Sequence, residues 1–167
     1  MAEFSVEYIN PFLMAATSVI KDICQVDMKI GRPYVKTTEF ASDSVIIMIG
    51  VTGEVRGQVL MSFPEAHALH VASKMMMGMP VTALDDMSAS AINELGNMMM
   101  GNAATILSTK GIAMDITPPT LCRGNVYLKQ SYSQNICVPL TSDEIHMELD
   151  IAINAVSYTH LRAHETL

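Results

Sequence analysis

The residues best placed for chemistry are Ser90, Glu94 and Asn97, inside the segment SASAINELGNMMMGNAATIL. Their spacing of four and then three puts all three side chains on one face of a helix. Leu95, Ala91, Met98, Met99 and Ile106 fall on another face. The apolar stripe centres near Leu95, and the polar triplet lies roughly 130° from it. A carboxylate can pair with a cation. A carboxamide offers both a donor and an acceptor and never ionises. Gly101 follows Asn97 by four and leaves room for a partner backbone. The three groups and the glycine read as a docking surface for something that must come close. The plain alternative is a solvated helix face, the usual place for charged and amide side chains.

Other constellations carry less. There is no Gly-x-Ser-x-Gly, no pair of catalytic carboxylates and no phosphate-cradling loop, so a nucleophilic or metal hydrolase has no support. His67 and His70 are three apart on a helix and read as solvated. Met75 to Met79 holds four methionines and reads as core filling at a helix end, with an adaptable contact surface as the alternative. Cys24, Cys122 and Cys137 form no CxxC pair and read as reduced thiols used in packing, which suits a cytoplasmic location. A net charge of −7 argues against nucleic-acid binding. No apolar run reaches membrane-span length, and no secretory signal is evident.

The elements that must position the triplet follow from periodicity. Asn10-Pro11 is expected to start a first helix whose stripe is Phe12, Leu13, Ala16, Val19, Ile20 and Ile23. Ser44 to Val51 and Gly57 to Phe63 read as a strand hairpin around Thr52-Gly53-Glu54. Pro64 opens a second helix with Ala68, Leu69, Ala72, Met75 and Met76 inward, stopped by Gly78 and Pro80. Asp85-Asp86 caps the third and longest helix, which carries the triplet and runs to about Lys110; Asn102 falls on its apolar side. Strands are expected over Ala113–Thr117, Val126–Ser131, Asn135–Thr141 and Ile145–Ile153. In the last, Ile145, Met147, Leu149, Ile151 and Ile153 share one face.

With 167 residues, half of them hydrophobic, the chain has enough for one domain with a sizeable core. The fold class expected is α+β: a single domain with a mostly antiparallel sheet, long helices packed on it, and two pseudo-symmetric halves each led by a helix. The domain is expected over residues 1–155. Residues 156–167 read as a non-native tail, because VSYTHLRAHET, Val156 to Thr166, matches in translation a transposase adapter used in sequencing-library preparation. His160 and His164 in that tail imitate a helical metal pair. No Glu follows the first His and no third ligand is apparent, so no metal site is assigned.

The pattern Ser90-x-x-x-Glu94-x-x-Asn97 resembles the active-site motif of the CheC/CheX/FliY family of response-regulator phosphatases. Pro118 and Pro119 fall close to the proline that follows the family asparagine by a little over twenty residues. The opening VEYINPFLMAATSVIKDI and the later GRPYVK are similar to the CheX branch, and the resemblance spans roughly Val6 to Ala155. It implies hydrolysis of an aspartyl-phosphate on a CheY-type regulator, with Asn97 orienting the attacking water. It also implies that Glu94 pairs with the regulator's lysine and that Ser90 adds a hydrogen bond at the margin. The role of Gly101 is a reading of its size, outside the family pattern. The resemblance further implies a homodimer, no cofactor of the chain's own, and Mg²⁺ carried by the regulator. The alternatives are a module that binds a regulator without dephosphorylating it, and a structural domain related to the flagellar switch. The intact Glu94 and Asn97 weigh against the first. The absence of attachment segments weighs against the second.

Overall fold

A computed structural model of the chain describes residues 6–35, 40–124 and 135–156. Helix α1 spans Val6–Cys24, followed by two short strands, β1 (Lys29–Ile30) and β2 (Tyr34–Val35). The hairpin β3 (Ser44–Gly53) and β4 (Val55–Pro64) leads into α2 (Glu65–Met75) and α3 (Asp86–Thr109). Four strands close the described chain: β5 (Met114–Ile116), β6 (Thr120–Arg123), β7 (Ile136–Thr141) and β8 (His146–Ala155). The expected strand over Val126–Ser131 lies outside the described residues.

All the described strands join one antiparallel sheet in the order β1-β7-β8-β4-β3-β5, with β2 on β7 and β6 on β3. Period-two alternation sorts its side chains. Val45, Ile47 and Ile49 on β3, Val59, Met61 and Phe63 on β4, and Met147, Leu149 and Ile151 on β8 join the helices in one core cluster. Gly96 marks the closest approach of α3 to this face. A Cβ there would lie 3.0 Å from Ile47 Cγ2 and 3.2 Å from Ile49 Cδ1, so the helix lies low on the sheet.

Several local expectations are corrected. Helix α1 begins at Val6, ahead of Asn10, with Pro11 inside it. Proline lacks the N–H that would bond to the Glu7 carbonyl. The early turn persists because Tyr8 and Ile9 pack on the core. On α2 the buried residues are Ala68, Val71 and Ala72, while Leu69 and Met76 are only half-buried. The methionine run does not fill the core as expected. Met75 packs against it, but Met77 is 94% and Met79 57% exposed, because the helix ends at Met75 and Met77 adopts φ 62°. Strands β1, β2 and β6 are too short for a periodicity signal and were not anticipated. At the far end, the Val156 N–H donates to the Glu54 carbonyl at 2.7 Å. The rest of the suspected tail lies outside the described residues.

Candidate functional site

Helix α3 starts where the sequence places it. Asp85 is the N-cap, and its carboxylate accepts from the Ser88 N–H at 2.9 Å while Ser88 Oγ accepts from the Asp85 N–H at 2.8 Å. The hydrogen bonds from Ser88, backbone first, hold the Asp85 carboxyl below its ordinary pKa. Ser88, Ile92, Leu95, Gly96, Met99, Met100, Ala103 and Leu107 are buried and fix the helix against the sheet and its neighbours. The buried face is therefore centred nearer Gly96 and Ala103 than Leu95. That rotation leaves Met98 37% exposed and Ala91 and Ile106 half-buried. It also turns Asn102 to solvent, correcting its expected place on the apolar side.

The opposite face carries the triplet. Ser90 and Glu94 are exposed and Asn97 is half-buried. No hydrogen bond or ion pair among the described residues engages any of the three side chains. Gly101 continues the same face, and a Cβ there would meet nothing within 4 Å. The space over that turn is open to a partner. Pro118 and Pro119 lie in the link between β5 and β6, two strands that pack against α3. Two hollows of about 290 and 530 Å³ are lined by residues of the strands, by the loop before β3 and by the chain after α1, without any residue of α3. The triplet thus projects from a surface and is not the lining of either hollow.

Two other polar groups form that the sequence did not announce. His67 Nδ1 accepts from the His146 N–H at 2.8 Å, and His70 pairs with Glu144 at 3.2 Å. Both histidines are therefore tied to the β7–β8 turn, where solvation was expected. On the sheet face away from the helices, ligand atoms of Cys137, Glu148 and Asp150 lie within 4.8 Å of one another. The Tyr34 hydroxyl donates to Glu148 at 2.9 Å, and the Asn135 amide donates to Asp150 at 3.3 Å. Burial pushes the Cys137 thiol up to about 12, and its hydrogen bond to Cys137 raises the Tyr34 phenol, so both keep their protons. These hydrogen bonds make the group a polar knot that ties β2, β7 and β8 together. The signal was available in the run LDIAI, where Asp150 interrupts an apolar strand and must face away from Leu149 and Ile151.

A single α+β domain with long helices on an antiparallel sheet, and an outward Ser/Glu/Asn face on the longest helix, defines the CheC-like class. The family profile described as "Chemotaxis phosphatase CheX" matches residues 45–141. A curated relative from Thermotoga maritima, "CheY-P phosphatase CheX", is 34% identical over 133 residues, covering 80% of this chain and 86% of its own. A CheC-like superfamily protein from Shewanella has 28% identity and a TM-score of 0.81, covering 91% of this chain and 100% of its own. A CheX–CheY–BeF3–Mg²⁺ complex from Borrelia burgdorferi has 34% identity and a TM-score of 0.76, covering 90% of this chain and 99% of its own. The chain belongs to the chemotaxis phosphatase CheX family.

Proposed function

We propose that this protein hydrolyses the aspartyl-phosphate of a CheY-type response regulator, with the outward face of α3 inserted into the regulator's active site. The observation that carries the reading is the unengaged triplet on a helix whose other side is anchored in the core. The Thermotoga relative is named for this activity, and the Borrelia relative is seen with CheY, a phosphoryl analogue and Mg²⁺.

An acyl phosphate is already activated, so catalysis reduces to placing water in line with phosphorus. Asn97 Oδ1 accepts a hydrogen bond from one O–H of that water and leaves a water lone pair aimed at the phosphorus. An amide adds no negative charge beside the phosphoryl oxygens. Glu94 pairs with the regulator's lysine and sets the register of the helix, and Ser90 adds a hydrogen bond at the rim. Gly101 lets the partner backbone close over the next turn. The regulator brings Mg²⁺, and the phosphatase needs no cofactor of its own. The reading places the protein in the cytoplasm with its regulator; no helix among the described residues is long and apolar enough to cross a membrane.

A homodimer joined at a sheet edge is part of the same reading. The β1/β2 edge leaves Ile30 52% and Val35 64% exposed, and an apolar open edge invites pairing. Sedimentation at micromolar concentration should give twice the chain mass, and Val35→Lys should give one.

The direct test follows phosphate release from phosphorylated CheY-type regulators of the same genome. Added protein should accelerate release from at least one of them. Binding to a phosphorylated regulator without acceleration of any would replace the phosphatase with a binding module.

A further inference from the structure

Asn93 sits one turn before Asn97 and one residue before Glu94. It is half-buried, and its Oδ1 is fully shielded from solvent with no hydrogen-bond partner among the described residues. A buried acceptor without a donor weakens a fold, and an apolar residue would serve this position better for stability. Such a residue fits a site whose donor is supplied only during function.

A donor stands one helical turn further on, at Asn97. Side chains at i and i+4 are neighbours, and helical side chains lean toward the N-terminus, so the Asn97 carboxamide leans over the turn that carries Asn93. Water positioning gives Asn97 two ends with different tasks. Its Oδ1 must face the water. If the amide turns over, its NH₂ meets the water's lone pair and occupies the electrons needed for attack. Anionic phosphoryl oxygens favour that wrong orientation, because they attract the NH₂ and repel the carbonyl. Something on the phosphatase must hold the NH₂ back.

We infer that Asn93 is a positioning residue: its Oδ1 accepts from Asn97 Nδ2 in the complex and fixes the carboxamide with its oxygen toward the water. This rests on the water-positioning role given to Asn97 above. In the free chain the two carboxamides are not bonded to each other, so the contact is one that docking on the regulator must bring about.

The test compares Asn93→Ala, Asn93→Asp and Asn97→Ala by single-turnover dephosphorylation in saturating complex, with regulator affinity and thermal unfolding measured alongside. Asn93→Ala should slow the chemical step about 3- to 10-fold, the worth of one hydrogen bond, with affinity unchanged. Its melting temperature should stay level or rise, because an unpaired buried acceptor has been removed. Asn93→Asp keeps an acceptor at the same position and should be faster than Asn93→Ala. A parent-like rate in Asn93→Ala, or no advantage of Asp over Ala, overturns the inference. So does a rate loss that only tracks a lower melting temperature. If Asn97→Ala is slow while Asn93→Ala is not, this inference alone fails. A parent-like Asn97→Ala removes the water-positioning reading and this inference with it.

Discussion

Helices α1 and α3 pack against each other and feed one core cluster, yet their outward faces carry different chemistry. Along α1 the outward residues include Met14, Ser18 and Lys21. Lys21 is already paired with Asp27 at 3.1 Å, and the neighbouring Thr17 hydroxyl bonds back to the Leu13 carbonyl at 2.9 Å. Along α3 the outward residues include Ser90, Glu94 and Asn97, none engaged through its side chain among the described residues, while Thr105 and Ser108 beyond them bond back to the Gly101 and Thr105 carbonyls as Thr17 does on α1. The inward faces are interchangeable in kind: Phe12, Ala16 and Ile20 on one, Ile92, Leu95 and Met99 on the other. The contrast teaches that burial builds both helices, and the proposed chemistry rests on a cluster of unengaged polar groups that α3 carries on its solvent side and α1 does not.

The largest effect that sharpens this comparison is on stability. Ile20→Ala on α1 and Leu95→Ala on α3 both remove fully buried side chains. Each should lower unfolding free energy by about 2–5 kcal/mol in denaturant titrations. Ile20→Ala should nevertheless keep parent turnover per folded molecule. A specific loss of turnover in Ile20→Ala would tie α1 to the chemistry and break the contrast.

A smaller effect separates the outward faces. Glu94→Ala should weaken regulator binding about tenfold by removing a charge-assisted pair at the interface, with little change in melting temperature. Ser18→Ala on α1 should change neither binding nor stability beyond about 0.5 kcal/mol. Equal binding losses from the two would mean that the regulator reads both helices.

The smallest effect is at the start of α3. Asp85→Ala removes the carboxylate that caps the helix and should lower the melting temperature by a few degrees at pH 7. The pKa of this group is lower folded than unfolded. Its contribution is therefore complete above the ordinary carboxylate pKa and fades as pH falls through the lower folded value. Parent and variant should converge on acidification, and a gap that does not narrow as pH falls below the ordinary carboxylate range would assign the effect to something other than the charged cap.

Much of this was legible in the sequence because it rested on long periodic runs. Helix α3, its Asp85 cap, the β3–β4 hairpin and the inward face of β8 each span several repeats of their period. The polar triplet stood out for the same reason. What escaped was decided by tertiary contacts. The start of α1 moved ahead of Pro11 because Tyr8 and Ile9 reach the core, and propensity alone would stop at the proline. Strands β1 and β2 are two residues each and exist only as partners of β7. Asn102 was misplaced because the helix is rotated by packing around Gly96, a glycine that a hydrophobicity pattern ignores. Asn93 could not have been singled out from spacing. Its interest lies in an acceptor shielded from water without a donor, which only coordinates reveal.

The central claim, that Asn97 positions the attacking water, is tested most directly by the single-turnover dephosphorylation rate of Asn97→Ala in saturating complex with phosphorylated regulator. Removing one positioned transition-state group should slow the step about 10²- to 10³-fold while binding persists, since the group acts only in the transition state. A rate equal to that of the parent protein would contradict the account and place any catalysis elsewhere on the molecule.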